Sequence, residues 1–196
     1  MTLSEIIEEV YLLTNRRDMV AETASAIKAA TLKAHQSDFY SKDIYETGVE
    51  FPSLEYRQQL DYTSFVSNFR SFKYFRKAIS PTDDNSAFIQ IITPEEVIDS
   101  YGQNRNDVAY VAGRILQIRS STQFQYGMLG AYLLPIVTTA DYSSWVAEQF
   151  PFAIIYEACR VIFKAIGYDE QSSTFTSLTA EAYNLLRMSA LSDVGY

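Results

Sequence analysis

Apolar residues recur every three to four positions at both ends of the chain and every two positions near its middle. That change of period predicts where helices give way to strands. Leu3, Ile6, Ile7, Val10 and Leu13 form one helical stripe. Thr2 with Glu5 suits a capping box, in which each side chain satisfies a backbone N–H of the first turn. Asn15-Arg16-Arg17 breaks the stripe, and a second helix over residues 18–36 puts Val20, Ala24, Ile27, Thr31 and Ala34 on one face. Its alanines permit close approach of another helix. So short a break predicts an antiparallel hairpin over residues 1–40.

From Asp43 to Phe51 the period is two. Tyr45, Thr47, Val49 and Phe51 share a face, Glu46 and Glu50 lie opposite, and Pro52 is expected to end the strand. Residues 53–68 are polar and weakly patterned, which predicts a long loop or arm. Phe65, Phe69 and Phe72 fit a helix, but the aromatic density of residues 69–79 also fits a strand, and strand is the expectation. Residues 80–86 (SPTDDNS) form a turn cluster, and 87–92 read as a short strand. Thr93-Pro94-Glu95-Glu96 is a helix start, with Thr as cap, Pro at the first position and acids favoured by the dipole; Gly102 lies where that short helix stops. Strands follow at 108–112, 114–119 and 123–134, separated by Gly113 and a turn at Ser120-Ser121-Thr122.

Asp141 is placed to cap a short helix carrying Trp145. Pro151 opens a long helix that Gly167 closes, with Ile155, Ala158, Cys159, Ile162 and Ile166 on its buried stripe. A final helix over 170–190 points Phe175, Leu178, Ala182 and Leu185 inward. The expected fold is α+β and predominantly α-helical, with N-terminal and C-terminal helical hairpins packed with a mostly antiparallel β region. It is read as one domain over 1–196: a hairpin at 1–40, a β-rich region with a long loop at 43–134, a helical part at 140–190 and a tail at 191–196.

Composition changes this picture in two places. Fifteen Tyr and twelve Phe against one Trp favour a protein that contacts other proteins, because Tyr buries a large ring and keeps a polar tip. A formal charge of −8, from 16 Lys and Arg against 24 Asp and Glu, argues against a dedicated nucleic-acid binder. With Cys159 the only cysteine, neither an internal disulfide nor a thiolate metal site is available. The start MTLSEIIEEV has no signal-peptide pattern and no run suits a membrane span, so a soluble protein made in a reducing cytoplasm is expected.

Chemistry-bearing patterns are sparse. A catalytic triad or zinc site would have to be built around His35, the only histidine, which at the end of its helix gains from the dipole. Cys159 on an apolar stripe reads as core. Seven scattered glycines make no phosphate-binding loop. Of the paired acids, those at helix starts are explained by capping, and Asp83-Asp84 by a turn. Phe69 to Lys77 (FRSFKYFRK) interleaves cations with aromatics, a pattern that binds single-stranded nucleic acid, lines an amphipathic strand, or forms a seam with acids such as Glu46 and Glu50 of a neighbouring copy. No catalytic residue, metal or cofactor is expected.

The stretches IIEEVYLLTNRRDMVAETASAIKAATLKAHQSDFY, DVAYVAGRILQIRSSTQFQYGMLGAYLLP and PFAIIYEACRVIFKAIGYDEQSSTFTSLTAEAYNLLRM cover most of the chain. Together they resemble the head-to-tail adaptor (connector) proteins of tailed bacteriophages. The resemblance implies a non-enzymatic virion protein, made in the host cytoplasm, that forms a ring, commonly of twelve copies, at the head–tail junction. Its partners would be other copies, the portal protein and the tail nozzle or next tail component, with DNA passing transiently through the lumen and no membrane involved. Carried over by position, Leu191, Asp193, Val194 and Tyr196 become the portal-contacting tail. Tyr56, Arg57, Tyr62, Arg70, Lys73, Arg76, Gln123 and Gln125 become tail-facing or inter-subunit residues. Other expectations are a different neck protein, such as a tail terminator or completion protein, or a cytoplasmic enzyme with an unrecognised site.

Overall fold

In a computed structural model of the chain, residues 1–80, 82, 86–138 and 140–192 are described, the last three of these by backbone alone. The chain divides into two compact units: a helical unit built from Met1–Asp43 and Leu134–Tyr196, and a barrel unit, Ile44–Leu133, inserted between them.

The helical unit holds α1 (Leu3–Thr14), α2 (Val20–Gln36), α4 (Trp145–Gln149), α5 (Pro151–Ala165) and α6 (Asp169–Ser192). Both bonds of the Thr2–Glu5 capping box are made at the start of α1. The hub of this unit is α5. Ala153, Ile154, Ile155, Ala158, Cys159 and Ile162 are buried on it, and α1, α2 and α6 all pack against it. From α1 come Ile6 and Val10, from α2 Ile27, Ala30 and Ala34, and from α6 Leu186. Because α1 and α2 pack on α5 more than on each other, they are two walls of one helical core and not a self-contained hairpin. On α6 Leu186 is buried, with Ser172 and Thr179, while Leu185, expected inside, is exposed. The cap of α4 is Ser144, whose Oγ accepts from the Ala147 N–H; Asp141, expected there, instead donates its backbone N–H to Thr138.

The barrel unit is built on β5, a single strand from Ile115 to Leu133. One edge of β5 pairs along its length with β1 (Ile44–Asp61). Its other edge is shared: the C-terminal half pairs with β2 (Phe69–Ala78) and the N-terminal half with β4 (Val108–Ala112). Short β3 (Ala87–Ile91) joins β2 antiparallel and β4 parallel, which closes a four-stranded barrel with β1 as an added strand. Phe75, Ile89, Leu116, Ile118, Phe124 and Leu129 fill the interior. Lys77, two positions from Phe75 and so on the same face, is buried at the barrel end, where its Nζ donates to Asp107 and Ser120.

These facts overturn the expected fold class. The chain is a mixed α/β protein, 44% helical and 34% strand, with a barrel in place of an accessory sheet between two helical hairpins. Two signals misled. Pro52 does not end β1, because the outer edge of β1 has no strand partner among the described residues and a missing N–H there costs no ladder bond. The register is irregular between Glu50 and Glu55, and the strand then resumes, so most of the expected loop 53–68 is strand, followed by one helical turn, α3 (Tyr62–Phe65). Ser120-Ser121-Thr122 is likewise no turn. Those residues lie within β5, where Ser120 accepts from Lys77 and Ser121 donates to Asp107.

Two glycines let β2 lie close over β5. A Cβ at Gly127 would run into the Phe75 ring, and one at Gly130 into the Tyr74 ring. Gly127→Ala displaces a fully buried ring, and overpacking of that kind costs about 1–3 kcal/mol. The expected outcome is a lower urea midpoint for Gly127→Ala, while Gly48→Ala, whose Cβ meets open space, lowers it much less.

Candidate functional site

Three polar clusters stand out. The first surrounds His35, buried at the C-terminal end of α2. Its Nδ1 lies 2.8 Å from Asp43 Oδ1 and its Nε2 2.9 Å from Ser144 Oγ. The Trp145 indole N–H donates to the same Asp43 oxygen at 2.7 Å, and the Trp145 ring meets the His35 ring edge-on. Both ring nitrogens are thus engaged, one with the carboxylate and the other with the serine hydroxyl. Serine, histidine and aspartate therefore stand in the order used by nucleophilic hydrolases. Ser144 is nevertheless buried, and its Oγ is already engaged in capping α4. The contacts tie α2, the turn Ser41–Asp43 and α4 into one core, which is a positioning role. Reading the sequence found His35 and its helix end but missed Asp43, Ser144 and Trp145, since the last two lie more than a hundred residues away.

The second cluster is centred on Glu157, whose side chain is only 4% exposed. Arg160 grips it with two hydrogen bonds of 2.8 and 2.7 Å, and Lys33 of α2 adds a third at 2.7 Å. Burial alone would raise this carboxyl, but the Arg160 and Lys33 bonds outweigh it and hold the group below the ordinary glutamate range. A cleft of about 520 Å³ opens beside it between α2, α5 and α6, and Tyr183 and Arg187 also line it. Burial pushes the Tyr183 hydroxyl well above the usual phenol range, and its oxygen has no hydrogen-bond partner.

The third lies on the outer surface of the barrel. Gly48 and Glu50 of β1, Tyr126 and Met128 of β5, and Arg76 and Ala78 of β2 line a cleft of about 530 Å³. The Arg76 guanidinium sits over the Tyr74 and Phe88 rings at 5.5 and 5.6 Å, and donates to Met128 Sδ at 3.1 Å. Its buried Nε has no partner. Glu50 accepts from the Tyr126 hydroxyl at 3.1 Å, so within one copy an acid of β1 and a cation of β2 already share a cleft.

The other expected contact residues are spread over the barrel unit. Tyr56 and Arg57 are exposed on β1, with Arg57 opposite Arg119 of β5. Half-buried Tyr62 packs on Phe69 and Phe72 and donates to the Gly113 carbonyl at 3.3 Å. On β2, Arg70 is half-buried and Lys73 lies over the Tyr132 ring at 5.7 Å. Gln123 and Gln125 sit on β5, the first exposed and the second half-buried. Tyr56 and Arg57 thus belong to a strand, where a loop was expected, while Gln123 and Gln125 lie in a strand as expected. Leu191 falls in the last turn of α6, while Asp193, Val194 and Tyr196, like Asp83 and Asp84, lie outside the described residues. Cys159 is buried, and burial pushes its thiol up to about 12. Among the described residues, no group of three or more His, Cys, Asp or Glu side chains is placed to hold a metal ion, and no helix is long and apolar enough to cross a membrane.

Two outcomes are expected. Ser144→Ala removes both a helix cap and a histidine partner, and thermal melting should show a loss of about 1–2 kcal/mol. Glu157 has a depressed folded-state pKa, so its contribution to stability is complete above the unfolded glutamate value of 4.5 and fades as pH falls through the lower folded value. Urea midpoints measured from pH 6 down to pH 3 should therefore fall less steeply in Glu157→Gln than in the parent chain, from a lower starting point.

No protein-family model matches the chain, and a comparison with curated proteins finds no match.

Proposed function

We propose that the chain is a structural virion protein without catalytic activity, which forms a ring with copies of itself at the head–tail junction of a tailed bacteriophage. In this role it joins the portal to the tail and leaves a passage for DNA. The sequence resemblance to head-to-tail adaptors motivates the reading, which no longer leans on helical hairpins.

The observation that carries it is where the chain spends its polar and apolar side chains. The His35 imidazole is engaged with Asp43 and Ser144, and the Glu157 carboxylate with Arg160 and Lys33. Large apolar side chains are left outside instead. On the barrel unit alone Leu54, Tyr56, Phe65, Ile79, Phe88 and Tyr101 are exposed, Tyr101 at 88%. Aromatic side chains standing in water are the anchors of protein–protein contacts. The net negative charge suits a passage along which DNA slides without sticking.

Native mass spectrometry and electron microscopy of the purified chain, alone and with the portal ring of the same phage, test the reading. The expected result is a closed ring seated on the portal. A chain that stays monomeric and ignores the portal would sink it, and a ring that binds a tail tube but no portal would reassign it to another neck protein.

A further inference from the structure

The cleft beside Glu157 is electrically out of step with the unit that holds it. The helical unit carries 14 Asp and Glu against 8 Lys and Arg. Three of those eight cations, Lys33, Arg160 and Arg187, nevertheless converge on this one cleft, with Glu157 as the only carboxylate in its lining. Glu157 offsets one of the three charges. Among the described residues Arg187 donates to the Ser37 backbone carbonyl alone, at 3.3 Å, and Lys33 remains half exposed at 52%. The Tyr183 hydroxyl, also in the lining, has no partner for its proton. Three cations against one bound acid, with about 520 Å³ of space beside them, make a receptor for a carboxylate.

The other end of the same helices differs. Helix α2 runs antiparallel to α5: Lys33 near its C-terminus meets Glu157, while Met19 and Glu22 near its N-terminus line a groove with Val161 and Ala165. That second end carries Glu22, Asp18 bonded twice to Arg16, Lys164 in the last turn of α5 and, at the start of α6, the exposed Asp169 and Glu170. The cleft thus holds more cations than acids at one end of the α2–α5 pair, and exposed carboxylates stand at the start of α6 at the other. A surface with both halves of a match on one molecule associates head to tail, and such contacts close into a ring when the rotation permits.

From this arrangement we infer that the α2–α5–α6 cleft is a docking site for a second copy of this chain, taking the carboxylates of its Asp169–Glu170 helix start onto Lys33 and Arg187. The inference deepens the ring reading above and rests on it, naming the contact that links neighbours. Arg160 stays on Glu157 and holds the floor of the cleft, so Arg187 and Lys33 are the side chains whose loss reports on docking.

Arg187→Glu and Glu170→Lys both change exposed residues, and circular dichroism is the check that each variant folds. Sedimentation of the full chain, alone and on the portal ring, then reads the contact. Expected are self-association or ring formation that weakens with salt, at least a tenfold loss in Arg187→Glu, and recovery when Arg187→Glu is mixed with Glu170→Lys. Arg187→Glu copies that associate as well as the parent overturn the inference and leave the ring reading standing. A mixture that restores nothing overturns it in the same way. If the parent chain neither self-associates nor gathers on the portal, the ring reading falls and takes this contact with it.

Discussion

Backbone pairing along both edges of β5 is the constraint on which the barrel unit depends. A strand of 19 residues exposes a long row of N–H and C=O groups on each side, and those groups must find partners wherever water is excluded. One side is satisfied by a single equally long strand, β1; the other needs two, β2 and β4, because neither is long enough alone. Once β2 and β4 lie end to end beside the same strand, β3 can bridge them, and the sheet closes. Closure leaves β1 as the one long open edge. Pro52 and the acids Glu46, Glu50 and Glu55 all lie on that strand, and each discourages unplanned pairing.

The helical unit depends on α5 in a comparable way. Its stripe of Ala153, Ile154, Ile155, Ala158, Cys159 and Ile162 is wide enough to face α1, α2 and α6 at once. Small residues on both α2 and α5 bring their axes close, and closeness brings Lys33 within reach of Glu157. The buried ion pair thus follows from the packing. It is tolerable only because Arg160, one turn along the same helix, supplies two further hydrogen bonds to the carboxylate.

What was legible in the sequence was whatever has a local cause. The Thr2–Glu5 box, the Thr93–Pro94–Glu96 start, Pro151 and Gly167 each act within one turn of chain, and each lies at a helix end as expected. The stripe on α5 was equally readable, since its period is a property of the helix itself. Pro52, Ser120 and Asp141 were misread because distant partners decide their roles. Whether a proline ends a strand depends on which edge is paired. A Ser-Ser-Thr run turns or continues according to whether Lys77 and Asp107 wait beside it. Of the polar sites, His35 and the Arg76–Glu50 cleft announced themselves, and nothing in the neighbourhood of His35 pointed to Ser144 or Trp145.

The insertion of the barrel unit between the halves of the helical unit bears on how the proposed ring would work. The chain leaves the helical unit after Asp43 and returns at Leu134, and Ile44 pairs with Tyr132 on neighbouring strands, so exit and return lie side by side. An insertion tethered at one point keeps its own core and can change its surface without disturbing the helices. On the proposed reading this separates two demands. Contacts between copies require a rigid, self-complementary body, which the α5-centred core and its polar ends supply. Contacts with a different protein require adaptable anchors, and exposed Tyr56, Phe88 and the Arg76 cleft lie on the barrel. Electrostatics would then govern how copies find one another, and aromatic burial how firmly the assembly holds its partner. The first responds steeply to salt and the second hardly at all.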